Sequence, residues 1–483
     1  MFLNNKKIYM ILFINFILTI YALMEYITFF FLKDFYLKFI EMELFLIFIF
    51  SVISIYLLVK DWLDLYIIFL GLLFLFLFSR PFINLFSLLP VNNYNEAEWY
   101  RIGSDFHFSD YTMIKINFIL IFTLLSLNIG YILGLLTFKR ISFFDLKINK
   151  VLLFLRRSKF LNKKIGYVLF LVGLAAFMGK VILYAKILHK YGYFYLYSGN
   201  YTLPFLIRVL DDFFYIGYFI IMSNIPSKKE GYLISFIFIL FYSALLLAGM
   251  RGEFFIMLLT VIWLLHYLYN WKIKLWQILL LFIILIITAQ LAILIKFPDA
   301  KIDFNLLHLI EKFFFSQGVT VLILGYFIEF QHHFVDIYSG FRYLISPFVS
   351  IFYTLTGQYG SRQEMLPTDI YSVGDMLEYF TDPQGYFMGG GTGSSFVAEL
   401  YGLGGDIFLV IFGSFLLGFF MAYISRKLIF KKYGLFISLF VISIIFWVPR
   451  GGYLQPLQKF LFGWLLLFSL IFLYELLNIK GKK

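Results

Sequence analysis

The chain contains no cysteine, which excludes disulfides, thiolate nucleophiles and cysteine-ligated metals. Charge is scarce as well: 14% of the 483 residues are Asp, Glu, Lys or Arg, against about 25% in ordinary soluble domains. No small-residue cleavage site follows the first apolar run, Ile8 to Leu32, which lies behind Lys6 and Lys7. That run, about 25 residues, is too long for a signal h-region and reads as a retained helix. Heptads, fixed-period repeats, low-complexity tracts and a clear inverted repeat are also missing. The last absence weakens a secondary-transporter reading. What fills the chain instead is apolar: 62% of it is hydrophobic. Runs of about 20 apolar residues recur along the whole length, the mark of transmembrane helices. The fold class is an all-α polytopic membrane protein.

A net charge of +12 invites a nucleic-acid partner, but its distribution rejects one. Between Phe138 and Lys164, nine Lys/Arg face one Asp; between Pro298 and Gly393, ten Asp/Glu face four Lys/Arg. That asymmetry follows the positive-inside rule, with the basic loop cytoplasmic and the acidic segment external. The apolar runs predict spans over 8–32, 39–59, 62–79, 113–137, 165–188, 204–223, 231–249, 253–270, 275–297, 394–424, 434–448 and 457–477, about 12 in all. Three regions result: N-terminal spans over 1–297, a large external loop over 298–393, and C-terminal spans over 394–483. The loop is long for a connection and therefore functional or disordered, and its richness in Phe, Tyr, Ile and Leu argues against disorder. Within it, 311–330 and 341–356 read as amphipathic or re-entrant helices on the outer membrane surface.

Four clusters of polar residues fall on the external face. In Ala248-Gly-Met-Arg-Gly-Glu-Phe-Phe255, Arg251 and Glu253 are the only formally charged residues between Glu230 and Lys272. Charge at a membrane boundary is costly unless paired, solvated or used. A guanidinium fork suits phosphate, and Gly252 lets a ligand approach the backbone; the plainer reading is an Arg–Glu turn held by lipid headgroups. In Gly389-Gly-Gly-Thr-Gly-Ser-Ser-Phe-Val-Ala-Glu-Leu-Tyr401, Ser394 or Ser395 would cap a helix whose free N–H groups face anions. Glu399 would then lie one turn inside a membrane helix, as a general base or as the partner of a nearby Arg. No Lys-Ser/Thr follows the glycines, so this is not a Walker A loop.

The third cluster is Phe315-Ser-Gln-Gly-Val-Thr320 with Arg342, where Gln317 serves either a sugar or a kink. His332-His333 with Asp336 is weak as a metal site, since adjacent histidines diverge on a helix and no third ligand is apparent. The fourth is Val448-Pro-Arg-Gly-Gly452 with Gln455, where Arg450 stands outside against the charge trend or snorkels to headgroups. Arg208, at i−3 and i−4 from Asp211 and Asp212, fits an internal ion pair and ranks below the others as a binding residue. Arginines at membrane depth suit a diphosphate, a carboxylate suits activation of a hydroxyl, and aromatics suit sugars and a polyprenyl tail. Together these point to glycosyl transfer from a lipid diphosphate.

Gly249-Met-Arg-Gly-Glu-Phe254, Ser316-Gln-Gly-Val319, Gly391-Thr-Gly-Ser-Ser-Phe-Val-Ala-Glu-Leu-Tyr401 and Phe412-Gly-Ser-Phe-Leu-Leu-Gly418 resemble segments of the Wzy-type polysaccharide polymerases. The resemblance covers mainly 240–425. It implies a GT-C-like architecture in the bacterial cytoplasmic membrane and a metal-independent, inverting reaction on its outer face, with no cofactor. It implies transfer of a growing glycan from undecaprenyl diphosphate to the terminal sugar of a new lipid-linked repeat. It also implies a chain-length regulator and a flippase as partners. On this resemblance Arg251, Arg342 and Arg450 contact the diphosphate, with Glu399 or Glu253 as base; Gln317, Ser394, Ser395 and Arg208 are substrate-binding candidates. Alternatives are an O-antigen ligase-like transferase, which shares the chemistry and differs in acceptor, a lipid-linked sugar flippase, and a non-catalytic assembly scaffold. A transporter would spread polar residues along midplane positions, whereas here they gather at one face.

Overall fold

The computed structural model describes residues 5–32, 36–86, 108–138, 163–192, 203–271, 306–329, 373–388, 390–431 and 433–480, with isolated positions near 195, 276–287 and 345–349. Among these residues the chain is helical, without a strand. In hydrocarbon an α-helix satisfies its own backbone groups, so apolar segments of this length have little alternative. Nine helices of the described residues are long and apolar enough to cross a membrane.

Helices α1 (Asn5–Leu32) and α2 (Leu37–Val59) are followed by α3 (Leu65–Leu73), which runs through a π turn (Phe74–Phe78) into α4 (Ser79–Phe86). After α5 (Asp110–Thr137) come α6 (Lys163–Tyr191) and a broken pair, α7 (Phe205–Leu210) and α8 (Asp212–Ser223). Helix α9 (Lys228–Tyr242) ends in a 3-10 turn (Ser243–Ala248), and Gly249 then takes a left-handed φ of 72° to reverse the chain into α10 (Arg251–Tyr269). Next are α11 (Leu306–Gln317), a 3-10 turn (Gly318–Thr320), α12 (Val321–Glu329), α13 (Val373–Thr381) and α14 (Pro383–Met388). The C-terminal part holds α15 (Phe396–Gly402), α16 (Ile407–Arg426), α17 (Gly434–Ile445), a 3-10 turn (Val448–Arg450) and α18 (Gln455–Lys480).

Helix α5 is the centre of the bundle, buried along most of its length against α1, α2, α12 and above all α16. Glycine sets that contact: a Cβ on Gly130 would lie 2.0 Å from the Phe415 carbonyl oxygen, and one on Gly418 would lie 2.2 Å from that of Leu127. Small residues let two backbones meet this closely, which is how helices gain packing in lipid. A second seam joins α6 to α8, where a Cβ on Gly173 would lie 2.0 Å from the Phe214 nitrogen. Outward-facing apolar residues such as Phe13, Phe16, Met24, Phe30, Leu171 and Phe468 are exposed, as residues facing acyl chains are.

Most predicted spans are helical among the described residues; the one over 204–223 breaks at Asp211 into α7 and α8, and three further segments differ. The segment read as a surface helix over 311–330 is instead a 21-residue apolar helix, Leu309–Glu329, two-thirds buried against α4, α5 and α15. Glu311 and Lys312 make it look amphipathic, yet Glu311 is buried while Lys312 stays exposed. The span expected over 394–424 breaks at 403–406, leaving Glu399 on a short separate helix. The third span continues beyond residue 79, through Arg80 and Pro81, to Phe86. Only scattered positions of 275–297 and 341–356 are described.

Candidate active site

The four sequence clusters converge at the end of the bundle that carries the start of α10. Helix α15 presents Glu399, which is 5% exposed. Its Oε1 accepts a hydrogen bond from Ser394 Oγ (2.7 Å) and its Oε2 accepts one from the backbone N–H of Tyr453 (2.7 Å). Those bonds tie α15 to the chain just beyond the turn that carries Arg450. Gly452 packs closely there: a Cβ would sit 3.0 Å from Glu399 Oε1. Tyr453 is anchored in turn through its hydroxyl, which donates to the Gly413 carbonyl (2.8 Å). Burial pushes the Glu399 carboxyl up to about 7, against the opposing pull of the Tyr453 N–H and the Ser394 hydroxyl. This helix lies outside the candidate spans.

Arg450 reaches the opposite way. Its Nη1 donates to Gln317 Oε1 (3.3 Å), and its guanidinium lies 5.7 Å from the Phe76 ring centre and 5.8 Å from that of Trp447. Trp447 in turn meets the Arg251-Gly252-Glu253 turn: a Cβ on Gly252 would lie 2.9 Å from its indole. Arg251 and Gly252 therefore start α10 directly beside the Arg450 wall, with Arg251 half-buried. Glu253 is exposed and lies within electrostatic reach of Lys180 and Tyr242.

The serines depart from expectation. Ser395 occupies the N-cap position of α15, but its side chain makes no cap bond, and Ser394 bonds Glu399 instead. The Ser395 hydroxyl and Gln455 Oε1 are buried acceptors without a hydrogen-bond partner among the described residues. Arg208 lies on α7, which packs on α6 and α8, a different set of helices from those carrying Gln317, Glu399 and Arg450. Asp211 beside it pairs with Lys180 of α6 (2.7 Å). Arg342, His332, His333 and Asp336 lie outside the described residues. Among the described residues no three His, Asp or Glu side chains gather as a metal would require.

Sequence reasoning passed over Arg80. It is 3% exposed, its Nε donates to the Phe315 carbonyl (3.0 Å), and its guanidinium lies over the Phe315 ring at 4.0 Å. The available signal was a lone Arg before a Pro at the end of a long apolar run, which reads as the span's boundary rather than its interior.

A buried carboxylate near neutrality, arginines held by aromatic rings and neutral acceptors, and a glycine-lined turn between them can take a proton from a hydroxyl and hold an anionic leaving group. No curated protein and no solved structure matches the chain. A family model described as O-antigen polysaccharide polymerase Wzy matches residues 7–483. Matched over essentially its whole length, the chain belongs to that family.

Proposed function

We propose that this protein polymerises undecaprenyl-diphosphate-linked oligosaccharide repeats on the outer face of the bacterial cytoplasmic membrane. Glu399 acts as base, taking the proton from a hydroxyl on the terminal sugar of the incoming lipid-linked repeat. The freed oxygen attacks the anomeric carbon of the growing glycan, the bond from that carbon to the diphosphate breaks, and the lipid diphosphate leaves with the electron pair. A single displacement of this kind inverts the anomeric centre. Arg450, Arg251 and Arg342 supply positive charge to the leaving group, so the step is written without a metal. Gln317 orients Arg450, Ser394 orients Glu399, and Ser395 with Gln455 offers the acceptor sugar polar contacts. Glu253, exposed and beside Lys180, orients its turn. The external orientation rests on charge: Lys163, Lys228, Lys229 and Lys431 gather at the helix ends remote from Arg251.

The observation that carries this reading is the link between Glu399 and the Arg450 turn through the Tyr453 N–H, with Arg450 itself bonded to a neutral amide. The test is the surface glycan of a deletion strain complemented with wild type or with Glu399→Gln. Gln keeps an acceptor for Tyr453 but cannot take a proton, so a base is lost while a merely positioning role is retained. Accumulation of single repeats supports polymerisation; full-length polymer that stays unattached identifies a ligase; wild-type glycan rejects both.

A further inference from the structure

The Arg251-Gly252-Glu253 turn has two sides. Trp447 closes on Gly252 from the Arg450 wall, while Glu253 lies within electrostatic reach of Lys180 on α6. Lys180 pairs with Asp211 (2.7 Å) and also lies within reach of Asp212, which in turn lies within reach of Lys459 on α18. Helices α6, α8, α10 and α18 thus bring charge to one place beside the candidate active site.

Fastening α6 to α8 needs only the Lys180–Asp211 pair. The remaining groups are placed differently: Asp212 and Glu253 are exposed, and Lys459 is half-buried. Among the described residues neither Glu253 nor Lys459 closes an ion pair or a hydrogen bond, and Lys459 rests 5.6 Å from the Phe462 ring centre. Asp212 accepts a hydrogen bond from the Tyr215 hydroxyl. Charge at a membrane boundary is costly, so three such groups that no fastening requires point to another use.

The cluster is continuous with the site. Gln455, whose Oε1 is buried without a partner among the described residues, abuts Gly451, and Gly452 abuts Glu399. Lys459 stands four residues beyond Gln455 on the same face of α18, about 6 Å further along the axis. That step is the size of one pyranose ring. Ammonium groups donate to sugar hydroxyls and carboxylates accept from them. With Arg208 one turn before Asp211, cations match carboxylates in number, so the cluster has no excess charge with which to draw a phosphate. A neutral sugar fits it.

We infer that Asp212, Glu253 and Lys459 form a second sugar subsite, taking the acceptor residue next behind the one whose hydroxyl meets Glu399. This rests on the function proposed above, which requires two glycans to be held at once. The competitor is an ion-pair network that only fastens α6, α8 and α10.

The probe is the free repeat oligosaccharide, released by mild acid from the lipid-linked repeat that a deletion strain accumulates. Purified full-length protein in lipid nanodiscs is compared as wild type, Asp212→Asn, Glu253→Gln and Lys459→Gln. Three quantities are read: the oligosaccharide dissociation constant, the melting temperature, and polymerisation of the intact lipid-linked repeat. Each variant is expected to melt like wild type and to bind the oligosaccharide about tenfold more weakly, as loss of one charge-assisted hydrogen bond implies, with KM for the lipid-linked repeat rising alongside. If one variant does not fold, the other two decide. Wild-type affinity in every folded variant, at whatever melting temperature, assigns the cluster to fastening and overturns the inference. So does a wild type that polymerises the lipid-linked repeat without binding the free oligosaccharide; in both cases the Glu399 site stands. A deletion strain that accumulates no lipid-linked repeat overturns the proposed function itself.

Discussion

The two ends of the helix bundle handle charge in opposite ways. At the end bearing Lys60 and Lys427, charges close on opposite charges. Arg426 lies 3.7 Å from Asp64, the Tyr131 hydroxyl donates to Asp64 (2.7 Å), and His266 Nε2 meets Asp61 at 2.9 Å. Tyr66 stacks on Tyr131 at 4.2 Å and carries the network inward to Asn128, which bonds Asn15 and Ser51. At the other end, Arg450 meets an amide, Arg80 a carbonyl, and Glu399 a hydroxyl and a backbone N–H. Those bonds hold each of these charged groups through a neutral partner. The first arrangement fastens helices together; the second aims the groups to which the proposed chemistry is assigned.

Substitutions at the two ends should therefore fail differently. The largest contrast is expected from Arg450→Ala, which should abolish polymer and leave single repeats while the protein still accumulates in the membrane; a normal polymer ladder would break the contrast. Next comes Arg426→Ala, which strands Asp64 as a buried charge and should cost about 3–5 kcal/mol of stability. Its signature is loss of folded protein with unchanged activity per folded molecule, read by melting temperature alongside normalised polymerisation.

The third contrast is in pH. Because Glu399 must be unprotonated to act as base, polymerisation should rise as pH increases through about 7. Its contribution to stability runs the other way. The folded state holds this proton more tightly than the unfolded chain, so that contribution is full below the ordinary carboxylate range and is lost as pH rises through about 7. Glu399→Gln should flatten both profiles, and a rate profile unchanged in that variant would remove Glu399 from the chemistry. The smallest effect, roughly 1–3 kcal/mol, is expected from Gly418→Ala at the α5–α16 seam, a packing cost independent of pH and visible only in melting temperature.

Much of this was legible in the chain. Long apolar runs and the split between basic and acidic connections announced a polytopic helical membrane protein. Arg251, Gln317, Glu399 and Arg450 stood out because polar residues in apolar surroundings are conspicuous. Less legible was anything decided by packing between distant segments. Glu311 and Lys312 lower the apolarity of Leu309–Glu329 enough to suggest a surface helix, while its burial depends on α4, α5 and α15. Arg208 reads from spacing as the partner of Asp211 and Asp212, and spacing could not show that Lys180, on another helix, also pairs with Asp211. Arg80 was hidden because a π turn leaves no signature in composition, so neither the continuation of the helix nor the direction of the side chain could be read.

That π turn makes residue count a functional variable in one short stretch. Between Phe74 and Arg80 the chain carries one residue more per turn than an α-helix would, and its whole effect is angular. Wound as a plain α-helix of the same length, the segment would carry Ser79 and Arg80 about 100° around its axis, off the Phe314 and Phe315 carbonyls they now reach. The winding of this one turn is a phase setting that neither composition nor hydropathy records.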